Sequence, residues 1–226
     1  MPPPPPTPEQ GGARSPGRLD PPNAAARWVA YPQGAPGGGG ASAGSWCQLK
    51  YWELADRVGR LYEVQNPYIN VSSAAEPSQA NQGLCLATLA QHAPSRPAGS
   101  ALARAVERTR AKIGLGVTLS QEPDGVWAYN RSDHPIFVNS PTLDDPESRT
   151  LLVYRVPPGH CLNIFRADTT SQHWERWRRC NELAHSGPVD PGAVRISFAK
   201  GWGPKYSRQE VTACPCWIEV LLSPCR

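Results

Sequence analysis

The sequence predicts a mainly β fold, an antiparallel β-sandwich. From Trp46 onward, apolar and polar residues alternate in short runs, most of them bounded by proline or glycine. Two of these runs are joined by Glu122-Pro-Asp-Gly125, whose residues favour a tight turn. Against these many short strands stands one segment with a strong helical period, so the apolar strand faces must pack sheet on sheet.

The first run puts Cys47, Leu49 and Tyr51 on one side and Gln48 and Lys50 on the other, as a half-buried strand requires. A second strand is expected over Arg57–Val64. Gly116–Ser120 and Val126–Tyr129 form a hairpin across the Pro-Asp-Gly turn. Further strands are expected over Pro135–Val138, Thr150–Tyr154, Cys161–Phe165, Val194–Phe198 and Trp217–Leu222. Between Ser100 and Gly114, residues Leu102, Ala105, Val106, Thr109 and Ile113 recur on one face of a helix. Ser100 suits its N-cap and Gly114 its stop. A weaker helical pattern runs from Ser171 to His185, with Trp174, Trp177, Cys180 and Ala184 facing inward.

Residues 1–45 read as a disordered Pro/Gly/Ala-rich tail and residues 46–226 as one globular domain. The tail opens with Pro2 to Pro6 and later carries Gly37 to Gly40, so it has almost nothing apolar to bury. The chain start lacks the charged, apolar and small-residue pattern of a secretory signal, and no segment has the apolar length of a membrane span. An intracellular protein without membrane insertion is expected. Seven cysteines, an odd number, then read as reduced, buried thiols. The glycosylation patterns Asn70-Val-Ser72 and Asn130-Arg-Ser132 are discounted for the same reason. A net charge of +4 is too small to argue for nucleic acid; the placement of the charge matters more.

Arg104, Arg108 and Lys112 follow one another at i, i+4 along the helix, largely opposite its apolar face. Like charges at this spacing repel by roughly 0.2–0.5 kcal/mol per pair, a cost that an acidic partner would offset. Glu107 and Arg110 form a separate flank and are expected to pair. A second basic cluster lies between two strands, in Lys200-Gly-Trp-Gly-Pro-Lys-Tyr-Ser-Arg208. There Arg208 suits bidentate contact with a phosphate, Lys200 and Lys205 act as point charges, and Trp202 and Tyr206 offer rigid apolar contact. The alternative for Trp202 is packing as a lid on the protein beneath. Together the two clusters fit an acidic or phosphorylated protein segment, provided folding brings them together.

Other chemistry is poorly represented. Cys214-Pro-Cys216 has no second pair at zinc spacing, and His173, Cys180 and His185 make no metal pattern. Gly201-x-Gly203 lacks the third glycine of a dinucleotide fingerprint, and Asp144-Asp145, bracketed by Pro141 and Pro146, reads as a turn. No catalytic residue, metal or cofactor is expected. Two competing readings are a nucleic-acid-binding protein using the same basic surface and an enzyme with a site assembled from distant residues.

Several stretches resemble the Mad-homology 2 domain of the Smads. They are Trp46-Cys47, Tyr51-Trp-Glu53, Arg57-Val-Gly-Arg-Leu-Tyr62, Lys112-Ile-Gly114, Asp124-Gly-Val-Trp-Ala-Tyr-Asn-Arg131, Arg195-Ile-Ser-Phe-Ala-Lys-Gly-Trp-Gly203 and Cys214-Pro-Cys-Trp217, in family order. His134-Pro-Ile-Phe-Val-Asn-Ser-Pro-Thr-Leu143 resembles the inhibitory branch, as does the end of the chain at Ser223-Pro-Cys-Arg226, without a Ser-Ser-x-Ser tail. The resemblance implies a Smad/FHA-like sandwich with a helical bundle at one end and a loop-helix region at the other. It also implies negative regulation of TGF-β/BMP signalling in cytoplasm and nucleus. The implied partners are activated type I receptor kinases, receptor-regulated and common Smads, ubiquitin ligases and transcriptional corepressors. Without a Mad-homology 1 domain, direct DNA binding is not expected. By motif match, Arg108 and Lys112 correspond to the family's basic-helix contacts, and Lys200 and Arg208 to its receptor-facing loop. Lys205 stands where this branch has cysteine and Glu210 where it has phenylalanine.

Overall fold

A computed structural model of the chain describes residues 44–73, 83–143, 152–166 and 193–222. Its strands are β1 (Cys47–Glu53), β2 (Asp56–Val64), β3 (Tyr68–Ser72), β4 (Gly83–Cys85), β5 (Val117–Glu122), β6 (Gly125–Asn130), β7 (Ile136–Asn139), β8 (Tyr154–Val156), β9 (Cys161–Arg166), β10 (Val194–Phe198) and β11 (Trp217–Leu222). Helices α1 (Leu86–Ala90) and α2 (Ala101–Ile113) lie between β4 and β5. The strands form a six-stranded sheet, ordered β2-β1-β11-β10-β7-β8, and a five-stranded sheet, ordered β4-β3-β5-β6-β9. All pairings are antiparallel except β3 with β4. The predicted sandwich is the observed one.

Alternation along each strand sends one set of side chains into a shared core. Leu49, Tyr51, Val58, Ile136, Val138, Ile196, Ile218 and Val220 come from the first sheet, and Ile69, Val71, Val117, Leu119, Ala128 and Ile164 from the second; all are buried. Each large apolar side chain so buried is worth roughly 1.5–3 kcal/mol. The first and last described strands, β1 and β11, pair side by side inside the six-stranded sheet, from Cys47 opposite Leu222 to Trp52 opposite Trp217. That long-range pairing ties the two ends of the described chain together.

Three elements were not predicted. Tyr68–Ser72 alternates correctly but is only five residues long, β4 has three residues, and α1 is a single turn and a half. β4 and α1 are too short to carry a readable period, whereas β3 is as long as the predicted β10. The strand expected over Thr150–Tyr154 instead begins at Tyr154, and residues 150 and 151 lie outside the described residues. The Ser171–His185 helix, and with it the implied helical bundle, also lies outside them. Both glycosylation-pattern asparagines are buried. Asn70 accepts from Arg131 at 3.1 Å, and Asn130 donates to the carbonyls of His134 and Val156 at 2.9 and 3.0 Å.

Helix α2 begins as expected, with the Ser100 hydroxyl accepting from the Ala103 N–H at 3.1 Å, and ends at Gly114. It packs beside β10 through Val106, Thr109 and Ile113. Leu102, assigned to the same face, is instead 58% exposed, because the helix packs through its later turns and the first has little beneath it. Gly116 then turns the chain into β5 at φ +66°, where a Cβ would collide with the Val71 carbonyl oxygen.

The expected pair between Glu107 and Arg110 does not form; Arg110 reaches across to Glu53 instead. The Glu53 carboxylate is fully buried and accepts from Tyr51 Oη at 2.9 Å, Arg110 Nε at 2.6 Å and Arg96 Nη1 at 3.0 Å. Arg96 also donates to the Glu53 carbonyl and to Asp56, both at 2.9 Å. Burial opposes the Arg110 charge, but the hydrogen bond and charge of Glu53 outweigh it and hold the guanidinium pKa above its ordinary value. Burial, helped by Cys216 and Glu53, keeps the Tyr51 phenol protonated far above its usual range. Glu53→Gln preserves volume but leaves two guanidinium groups facing a neutral amide. Urea denaturation should show a loss of about 3–5 kcal/mol; a loss under about 1 kcal/mol would show that the network is not a keystone.

Candidate functional site

The second basic cluster belongs to the connection from β10 to β11, which folds back over the outer face of the six-stranded sheet. On that face Trp52, Trp217, Ser197 and Phe137 lie in one row across four strands. Trp52 and Trp217 stack at 5.1 Å with 7° between their planes, and Trp217 Nε1 donates to the Leu54 carbonyl at 2.8 Å. Trp202 and Val211 from the connection, with Cys214, complete a small second core on this row. The tip is a closed turn. Gly203 N–H donates to the Arg208 carbonyl at 2.7 Å, and Tyr206 N–H donates to the Gly203 carbonyl at 2.9 Å. At Gly201 a Cβ would stand 2.6 Å from the Tyr206 ring, so glycine lets the loop lie flat.

Trp202 therefore cannot be the partner contact suggested by its place in a basic loop. It is 1% exposed, and the lid alternative describes it: a bulky indole lowers its free energy more by leaving water inside the fold than by waiting for a partner. Tyr206 is half-buried, its ring edge-on to Phe137 at 5.5 Å and 81°. Lys205 is exposed at the tip, while Lys200 and Arg208 are partly exposed at its base. On α2, Arg104, Arg108 and Lys112 are all exposed, opposite the buried stripe. Among the described residues none of these six cations has an ion-pair partner.

Helix and loop are joined through Cys214-Pro-Cys216. The Cys214 thiol lies 3.6 Å from the Lys200 carbonyl, and the Cys216 thiol lies 3.7 Å from the Val106 carbonyl in α2. The turn after β1 ties in too, because Leu54 N–H donates to the Cys214 carbonyl at 3.2 Å. Both basic clusters are thus fastened to one end of the six-stranded sheet.

Arg155, which the sequence analysis did not single out, is a further exposed cation on the loop's side of the sheet. It is exposed on edge strand β8, directly across from Phe137, against which Tyr206 packs. The only signal was the outward position of a lone arginine between Tyr154 and Val156, which no local clustering strengthens. Glu210, exposed after the tip, accepts from Thr212 at 3.2 Å and is the loop's one opposing charge. Unpaired guanidinium and ammonium groups are suited to phosphate and carboxylate oxygens. Among the described residues no cluster of three His, Cys, Asp or Glu side chains is arranged to hold a metal.

Two consequences can be measured. Trp202→Ala should cost about 3–5 kcal/mol of stability in urea denaturation; an unchanged unfolding midpoint would contradict the second core. Burial pushes the Cys47 and Cys216 thiols up to about 12, and raises that of Cys214 as well. At pH 8 these three should resist iodoacetamide in the folded protein and react within minutes once it is denatured, as peptide mass mapping would show.

Residues 44–223 match the family model described as the MH2 domain. The chain is 52% identical over 181 residues to Mothers against decapentaplegic homolog 6 of Gallus gallus and 42% identical over 178 residues to Mothers against decapentaplegic homolog 7 of Homo sapiens. Each match covers 79% of this chain and 38% of the relative, so the chain spans about two fifths of the length of the curated relatives it matches. Among solved structures, the IAD domain of interferon regulatory factor 9 superposes with a TM-score of 0.51 at 12% identity, covering 80% of this chain and 85% of that one. That likeness is one of fold alone. The family match extends over both sheets, the basic helix and the basic loop alike, and the chain belongs to the MH2 domain family.

Proposed function

We propose that this chain is an inhibitory Smad domain: a non-enzymatic adaptor that binds activated type I receptors, or receptor-regulated and common Smads, and so restrains TGF-β/BMP signalling. The observation that carries this reading is the fastening of the basic helix and the basic loop to one sheet end through Cys214-Pro-Cys216. Identity with Mothers against decapentaplegic homolog 6 supports the inhibitory branch. The contact residues are Arg104, Arg108, Lys112, Lys200, Lys205 and Arg208, with Arg155 beside them and Tyr206 at the margin. Trp202 supports the loop from below.

A phosphorylated segment carries about −1.5 to −2 charges per phosphate and relieves the mutual repulsion of these cations. Ubiquitin ligases and corepressors are further candidate partners, and cytoplasm and nucleus the candidate compartments. No described helix is long and apolar enough to cross a membrane. Nothing in the fold or in the relatives favours nucleic acid as the ligand.

The test is binding of the full chain to the phosphorylated and unphosphorylated cytoplasmic region of a type I BMP receptor. Phosphorylation-dependent binding should fall at least about 100-fold in R108E/K112E/K200E/R208E, because each reversed charge forfeits an attraction and adds a repulsion. Circular dichroism and thermal unfolding should be unchanged, since Arg108 and Lys112 are exposed and Lys200 and Arg208 partly so. Full binding by the folded quadruple variant would sink the site.

A further inference from the structure

Strand β2 is the outermost strand of the six-stranded sheet, and among the described residues no strand pairs with its far edge. Arg60, Leu61, Tyr62 and Glu63 are all exposed. Successive residues of a strand face opposite sides, so an exposed run of this kind means that both faces and the edge are open to water. Leu61 and Tyr62 are large hydrophobic residues, each 36% exposed. The Val64 carbonyl accepts from Trp46 N–H at 3.0 Å, which turns the Val64 backbone toward β1 and, by alternation, leaves the N–H and C=O of Glu63 pointing outward. An edge with free backbone groups and exposed apolar side chains is a template for one more strand.

Beside this edge lies a cleft of about 150 Å³, whose walls include Tyr62, Glu63, Asn66 and Tyr68. The described chain starts at the same corner. Trp46 Nε1 donates to the Asn66 carbonyl at 2.6 Å, so the residues before Gly44 leave from the rim of the cleft. Within residues 1–43 the large apolar side chains are Met1, Leu19, Trp28, Val29 and Tyr31, and the last three fall together in Arg27-Trp-Val-Ala-Tyr31. Aromatic and β-branched residues in that proportion favour a strand. The Gly-rich run 32–43 ties this segment to Gly44, and a linker of that length spans roughly 20 Å. The distance back along β2 from Val64 to Arg60 is only about 13 Å.

We propose that Arg27–Tyr31 folds back on its own domain and adds a strand to the free edge of β2, with the Trp28 side chain in the cleft. Antiparallel pairing puts Arg27 at the Glu63 end, where the charges are opposite, and Tyr31 at the Arg60 and Leu61 end. A cleft with polar and aromatic walls suits an indole, which has an apolar body and a polar edge. Because the segment is tethered, its effective concentration at the edge is on the order of millimolar, so a short strand suffices where a free peptide of that length would not.

The experiment is amide hydrogen exchange on the full chain, read by mass spectrometry on the peptide that contains Leu61–Glu63, at two protein concentrations. That peptide should exchange at least about tenfold more slowly in the unchanged chain than in V29P, which removes a backbone donor, or in W28S/Y31S, which removes the apolar contacts. Circular dichroism should show both variants folded, because the sandwich core described above begins at Trp46. The slowing should be the same at both concentrations, with the mass of a monomer in light scattering. Equally fast exchange in the unchanged chain and the variants would overturn the proposal. So would slow exchange that persists in V29P or W28S/Y31S. Slowing that grows with concentration and accompanies the mass of a dimer would give the edge to a second copy of the chain, and the assignment to residues 27–31 would fall.

Discussion

The buried carboxylate of Glu53 is where the sandwich, the helix and the loop meet. It sits at the end of β1, is closed to solvent, and is surrounded by Tyr51, Arg96 and Arg110. A carboxylate in that place is tolerable only with its charge and lone pairs matched, which is why two arginines from different parts of the chain converge on it. Arg110 brings α2 down on the sheet, and Arg96 brings in the segment that leads to the helix. One residue on, Leu54 bonds to Cys214 and Trp217 at the return from the loop. A single corner of backbone therefore sets the position of both basic clusters.

Rigidity follows from how the loop is supported. A glycine- and charge-rich connection of this length would ordinarily be mobile, because it has little to bury and many backbone groups to satisfy. Here Trp202, Val211 and Tyr206 give it a core of its own against Trp52, Trp217 and Phe137, and two internal backbone bonds close its tip. Lys200, Lys205 and Arg208 thereby present charge without first paying a large ordering entropy when a partner arrives. The aromatic residues of the loop act through the scaffold, and the charged residues act at the surface.

Repulsion within the basic surface is the cost of this arrangement. Arg104, Arg108 and Lys112 repel along α2, and the loop adds three further cations with only Glu210 opposing them. Each term is a few tenths of a kcal/mol, small beside the core, so the fold carries it easily. Under the function proposed above, the same terms would reverse sign with a phosphorylated segment bound.

Most of the sandwich was legible because a half-buried strand alternates, as β1 does from Cys47 to Tyr51, or is marked by its turn residues, as β5 and β6 are around Pro-Asp-Gly. Helix α2, its Ser100 cap and its basic stripe were legible for the same kind of reason: local period and local capping are written in consecutive residues. The short β4 and α1 carried too little period to be read. Sequence spacing also could not say where long side chains end. Arg110 looked like a partner for Glu107 one turn away but spans to Glu53, 57 residues distant, and Trp202 looked like a contact but lies beneath the loop. Arg155 was placed across from Phe137 only by strand pairing. Sequence by itself determined most of the strands, helix α2 and the two clusters of charge, since those depend on neighbours along the chain. The tertiary structure decided which of those residues are fastened to the same sheet, which are buried, and which cations remain unpaired among the described residues, because contact and desolvation depend on neighbours in space.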